Sequence, residues 1–125
     1  MALPHRHAVL LIDDDVAASE PLEELLRLEG VDVVLAGDGA EAHAHLRSGP
    51  RPCVIVLDLR MPGMDGYEFR EEQLRDPALA RIPVIVVSGD GLVDERALEL
   101  GIDEYLRKPI DVDQFIAAIE SRCSR

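Results

Sequence analysis

Four stretches of this chain each stop on a polar group suited to phosphate or metal chemistry. The apolar run 8–12 stops at Asp13-Asp14-Asp15, the run 53–57 at Asp58, the run 83–87 at Ser88, and the short stretch 104–106 at Arg107-Lys108-Pro109. Carboxylates gathered without a counter-charge repel by about 4 kcal/mol per pair at about 4 Å and an effective dielectric of about 20, so such a group calls for a cation. Oxygen donors with neither His nor Cys beside them select a hard ion, and two or three carboxylates with room for water suit Mg²⁺ better than a Ca²⁺ cage. A lysine ammonium and a serine hydroxyl on the remaining sides can balance and hold a phosphoryl group transferred to Asp58.

Positioning these groups falls to elements that the residue pattern specifies. Apolar runs of about five residues, without alternation and rich in β-branched side chains, are the pattern of strands covered on both faces of a parallel sheet. Strands are expected over 8–12, 31–36, 53–57, 83–87 and 104–106. The spacing of Leu22, Leu25, Leu26 and Leu28 predicts a helix over 16–29 closed by Gly30, and Pro21 within it predicts a kink or a late start capped by Ser19. A Gly37-Asp38-Gly39 turn leads to a helix over 40–48. Asp65 is placed to cap a helix running to Arg75, with Tyr67, Phe69 and Leu74 on its apolar side and acids facing water. A short helix over 93–100 stops at Gly101, and Asp111 with Gln114 makes a capping box for a last helix carrying Val112, Phe115, Ile116 and Ile119. Strict alternation of five strands and five helices predicts an α/β fold, a doubly wound parallel sheet with right-handed crossovers. In the flavodoxin-like order 2-1-3-4-5, strands one and three are neighbours, and Asp13, Asp14 and Asp58 meet at the topological switch point.

Composition narrows the functional classes. A chain of 125 residues has the length of one domain, and a net charge of −12 argues against nucleic-acid backbones and anionic membranes as partners. The N-terminal stretch leads into a run of only five apolar residues before Asp13, too short for a signal segment or a membrane span, so a cytoplasmic location is expected. Cys53 and Cys123 show no metal or redox spacing and are read as two ordinary thiols, one buried and one at the surface, in a reducing compartment. His43 and His45 stand two apart on a predicted helix, point to different faces and do not suit a metal pair.

The pieces Leu11-Ile12-Asp13-Asp14-Asp15, Leu57-Asp58-Leu59-Arg60-Met61-Pro62-Gly63-Met64-Asp65-Gly66, Val87-Ser88-Gly89 and Tyr105-Leu106-Arg107-Lys108-Pro109 occur in this order on successive strand ends. On them the chain resembles, essentially end to end, the receiver domain of two-component response regulators, of the stand-alone chemotaxis-regulator type. Alone, Asp13 to Asp15 would be an ordinary acidic helix start and Lys108 a solvated lysine; the ordered set is far more specific. The resemblance implies that Asp58 accepts a phosphoryl group from a phosphohistidine on a sensor histidine kinase or histidine phosphotransfer protein. It implies Mg²⁺, with Mn²⁺ as a substitute, held by Asp13, Asp14, Asp58 and the backbone carbonyl of Arg60. Lys108 would pair with the phosphoryl oxygens, with a cis bond to Pro109. Ser88 and Tyr105 would act as a switch pair that alters the surface of the fourth helix, fifth strand and fifth helix. Arg60, Gly89 and Asp90 fall at positions that tune hydrolysis: Gly89 leaves the phosphoryl group accessible, whereas Arg60 and Asp90 are expected to pair and obstruct the attacking water. Ser88 stands where threonine is commoner, and the stretch from Ser88 to Lys108 is a little short, which shortens the fourth helix or its leading loop.

The resulting expectation is a single receiver domain over 1–125 with no output domain, its core spanning about 8–121. It is not an enzyme beyond catalysing its own phosphorylation and dephosphorylation. It signals to an unknown downstream protein, or relays the group onward, without nucleic acid or membrane. A monomer is expected, with dimerisation on phosphorylation left open. Two alternatives stand beside this: a receiver excised from a larger hybrid kinase or regulator, and a haloacid-dehalogenase-type Mg²⁺-dependent phosphatase built on Asp13-x-Asp15. The latter finds Ala17 where Thr or Val belongs and leaves the Asp58 loop unexplained.

Overall fold

The structure, a computed structural model, describes residues 8–49, 51–58, 66–88, 99–102, 104–107 and 109–123. Five parallel strands, β1 (Ala8–Ile12), β2 (Asp32–Ala36), β3 (Val54–Asp58), β4 (Val84–Ser88) and β5 (Glu104–Arg107), form one sheet in the order β2-β1-β3-β4-β5. Helices α1 (Val16–Leu28), α2 (Gly39–Ser48) and α3 (Gly66–Arg75) alternate with the first four strands, and α4 (Val112–Cys123) follows β5. This is the expected doubly wound sheet, with its switch point between β1 and β3. Most of the helix expected over 93–100 lies outside the described residues, as does Asp65, the expected cap of α3.

Period-two alternation divides the core into two layers. Leu10, Ile12, Ile55, Leu57 and Val86 face Ala42 and Leu46 of α2 and Phe69 of α3. Val9, Leu11, Val54, Val56, Ile85 and Val87 occupy the opposite layer, with Leu26 of α1 and Phe115, Ala118 and Ile119 of α4. Both faces are therefore dry, which is why the strands read as unbroken apolar runs. A slip of one residue would exchange the two sets, so burial fixes the register strongly.

Local chemistry sets the helix ends. Asp38 Oδ1 accepts from Glu41 N at 2.8 Å while Glu41 Oε1 accepts from Gly37 N at 2.8 Å, a reciprocal cap for α2. Gln114 N donates to Asp111 Oδ1 at 3.0 Å at the start of α4. Gly30 ends α1 with φ of +84°, a conformation only glycine adopts cheaply. The late start capped by Ser19 is not found. α1 begins at Val16, and Ser19 N and Oγ both donate to Asp15 O, at 3.1 and 2.8 Å, so the first turn closes ahead of Pro21.

Two further expectations are corrected. α3 buries Phe69, but Leu74 is 39% exposed, and Arg70 and Gln73 take inner positions instead. Arg70 donates to Leu100 O (Nε, 2.9 Å), Gly101 O (NH2, 3.0 Å) and Gln73 Oε1 (NH1, 2.8 Å), and Gln73 Nε2 donates to Leu79 O and Ile82 O at 2.8 and 3.0 Å. A buried guanidinium surrounded by carbonyls is satisfied, so polar residues serve on this face where apolar ones were expected. Nor are the cysteines two separate thiols. Cys53, just before β3, and Cys123, the last residue of α4, form a disulfide with Cα atoms 5.2 Å apart, and Cys123 is buried. The 70-residue separation carries no recognisable spacing; the pairing arises because α4 packs back along the sheet.

His43 of α2 is 4% exposed and tilts against the Phe69 ring at 4.6 Å between centroids. Its Nε2 has no hydrogen-bond partner among the described residues, with Glu72 Oε1 3.9 Å away. Burial lowers its pKa below the ordinary 6.5; Glu72 opposes that shift and Arg47 reinforces it. Below pH 6.5 the unfolded chain therefore binds a proton that the folded chain resists, and stability falls with pH until the depressed folded pKa is passed. Chemical denaturation at stepped pH is expected to show a steeper loss of stability on acidification from neutrality in the native protein than in His43→Leu; equal slopes would contradict this. Arg70→Met keeps the stem and removes the donors, leaving buried carbonyls unpaired. It is expected to cost about 2–4 kcal/mol, read as a lower urea midpoint at unchanged m-value.

Candidate functional site

The register brings the carboxylates together. Ile12 pairs with Leu57 of β3, so Asp13, one step on, lies level with Asp58, which itself pairs with Val87 of β4. Asp13, Asp14 and Asp58 each place a carboxylate oxygen within 4.8 Å of the others. Asp13 is buried and Asp14 exposed, so the cluster has one dry side and one open to water. Asp13 is held through both backbone and side chain: its N donates to Ala36 O at 3.0 Å, and its Oδ1 accepts from Asp15 N at 2.9 Å. That second bond is an Asx-type turn, which fixes the carboxylate and directs the chain into α1. Asp15 thus contributes its backbone to the turn.

The other expected site residues fall around this cluster to differing extents. Ser88 ends β4 one position beyond the partner of Asp58 and pairs in register with Arg107 of β5; its side chain lies outside what is described. Lys108 follows Arg107 directly and lies outside the described residues, as do Arg60, Gly89 and Asp90 and the Lys108-Pro109 bond. Pro109 is exposed. Tyr105 is half-buried and packs against the core layer that faces α2 and α3.

One feature was not anticipated from the sequence. An apolar cavity of about 230 Å³, lined by Leu22, Val56, Val87 and Ile110 among others, has Asp13 and Asp58 in its wall. Its signal lies in strand parity, since Val56 and Asp58 are two apart and share a face. The pocket opens to solvent, and its apolar lining offers the acids little polar surface on that side. The donor set is all oxygen, which fits a hard divalent ion.

The family model of the response regulator receiver domain matches residues 9–120. The sensory transduction protein RegX3 of Mycolicibacterium smegmatis is 39% identical over 117 residues, covering 91% of this chain and 49% of the relative. RpaA of Synechocystis, a DNA-binding dual master transcriptional regulator, is 34% identical over 119 residues, with 94% and 49% covered. This chain thus spans about half the length of the curated relatives it matches. A receiver protein from Pseudomonas putida superposes with a TM-score of 0.88 at 30% identity, covering 95% of this chain and 99% of that one. The Mn²⁺-bound form of response regulator Rcp1 superposes at 0.76, also at 30% identity, with 92% and 90% covered. These relatives lend no support to the haloacid-dehalogenase reading of Asp13-x-Asp15. With the sheet order, the acidic strand ends and the family match in agreement, the chain belongs to the response regulator receiver domains of two-component signalling.

Proposed function

We propose that Asp58 is the phosphoacceptor and that Asp13, Asp14 and Asp58, with the carbonyl of Arg60, hold Mg²⁺ or Mn²⁺. The observation that carries this is the convergence of three carboxylates within 4.8 Å at the switch point of the sheet. Bound there, the ion supplies the positive charge that lets the carboxylates and an incoming phosphoryl group coexist. The Mn²⁺-bound state of Rcp1 supports the choice of a divalent ion. An Asp58 carboxylate oxygen attacks phosphorus while the P–N bond of a phosphohistidine breaks and its electron pair returns to the imidazole, leaving an acyl phosphate on Asp58. Lys108 balances the added charge, Ser88 donates to a phosphoryl oxygen, and Tyr105 follows Ser88, altering the surface around β5 and α4. Arg60 and Asp90 pair to obstruct the hydrolytic water while Gly89 leaves the group accessible.

The partners implied are a sensor histidine kinase or histidine phosphotransfer protein as donor and a downstream protein as receiver of the signal. The charge of −12 supports a protein partner over nucleic acid for this chain, whatever the longer relatives bind. Among the described residues no helix is long and apolar enough to cross a membrane, and a donor kinase that uses ATP supports a cytoplasmic setting.

Intact mass after incubation with acetyl phosphate is expected to rise by one phosphoryl group only when Mg²⁺ is present, and not at all in Asp58→Asn. An undiminished gain in that variant would overturn the assignment. Without divalent ion, Asp13→Asn relieves repulsion and is expected to melt higher than the native protein. Mg²⁺ at about 100 times its dissociation constant is expected to stabilise the native chain by about 2.7 kcal/mol and Asp13→Asn by less. Equal Mg²⁺ shifts in thermal denaturation would remove Asp13 from the ligand set.

A further inference from the structure

At the pole of the sheet opposite Asp58, Cys53 and Cys123 join the start of β3 to the last turn of α4. We propose that this pair is a reversible thiol–disulfide site, whose reduction by a dithiol frees the last turn of α4 from the sheet. The inference rests on the cytoplasmic setting proposed above, where disulfides that form are typically transient or redox-sensing rather than permanent staples.

Three observations carry it. The first is access: Cys53 is the less buried of the two residues and Cys123 is 7% exposed, which makes Cys53 the side open to an external thiolate and Cys123 the leaving group. The second is that both redox states find suitable surroundings. Cys53 Sγ lies 3.3 Å from Ala8 O, a ready acceptor for the thiol formed on reduction, and Cys123 sits in the apolar layer with Leu26 and Ile119, where a thiol behaves as a small hydrophobe. Reduction therefore strands no buried polar group. The third is what the bond restrains. The end of α4 is tied to the sheet by the disulfide and by Arg122 NH2 to Glu104 Oε1 at 3.2 Å. Beside it runs a groove of about 380 Å³ between α1 and α4, lined by Leu26, Glu29, Val31, Ile116 and Cys123. With the covalent tie gone, the last turn keeps the apolar packing of Ile119 and Cys123 and a partly exposed ion pair, contacts that can open and close where a covalent bond cannot.

The step balances as ordinary exchange. One thiolate of the dithiol attacks Cys53 Sγ and the Cys53–Cys123 bond breaks; Cys123 leaves as thiolate and takes a proton. The second thiol of the reductant then attacks the mixed disulfide, releasing Cys53 as a thiol and the reductant as its own disulfide. Two electrons and two protons reach the protein. Because α4 borders β5, the release acts on the surface through which the proposed phosphorylation signal is read.

The test uses the whole chain equilibrated in stepped ratios of reduced and oxidised dithiothreitol, trapped with iodoacetamide and weighed intact, without denaturant. The expected result is two interconverting species, with no alkylation or two alkylations, and amide exchange over 116–123 about tenfold faster in the reduced form while β3 stays protected. A Cys53→Ser chain is expected to match the reduced form. Two alkylations at every ratio, reduction only once urea is added, or equal exchange over 116–123 in both forms would overturn the proposal. Acetyl phosphate uptake measured on both forms keeps the readings apart. Uptake with unchanged exchange defeats the redox site alone, and loss of uptake in both forms with redox-dependent exchange defeats the phosphoacceptor assignment alone.

Discussion

The sheet register is the constraint on which the site depends. Val54, Ile55, Val56 and Leu57 are each at most 1% exposed, and burying each such side chain contributes about 1.5–3 kcal/mol. A shift of β3 by one residue would turn both buried faces inside out, whereas holding it in place forces Asp58 against Asp13 at about 4 kcal/mol of repulsion per pair. What opposes the slip is the packing of each set against its own helices, which the exchanged side chains would not fit. The core therefore imposes the acidic cluster on the chain, and the cluster is left to find its relief in a cation.

That relief is local because the scaffold around the acids is already satisfied. Asp13 is fixed by the Ala36 carbonyl and the Asp15 amide, so its carboxylate is oriented before any ion arrives. A preorganised ligand loses little freedom on binding, which favours affinity over adaptability. The pocket beside Asp13 and Asp58 is apolar in its lining and open to solvent, so a charge added at the cluster is balanced from the open side rather than by that wall.

Much of this was legible in the sequence because it follows from local pattern. The strand runs, the switch-point acids, the Gly30 stop and the Asp111 cap each rest on a few adjacent residues and hold in the structure. What escaped depends on distant residues. Arg70 looks like one more charge on a solvated helix until Leu100 and Gly101 are seen to meet it, and Cys123 looks like a lone thiol until α4 folds back beside Cys53. Of the two outcomes expected from Pro21, the late start is absent for the opposite reason. The rule against proline in helices is local, but the Asp15 carbonyl had already captured Ser19 in the turn before it.

Arg70 also bears on how a change at the site could spread. Segment 59–65 leaves β3 at Asp58 and rejoins the described fold at α3, and segment 89–98 leaves β4 after Ser88 and rejoins it at Glu99. The far ends of both are bound to one another through Arg70, which sits on α3 and grips the carbonyls of Leu100 and Gly101. Arg70 thus ties α3 to the chain that leads into β5. Past Gly101 the chain enters β5, where Tyr105 pairs in register with Val86 of β4, so the Arg70 anchor stands close to the strand that carries Tyr105.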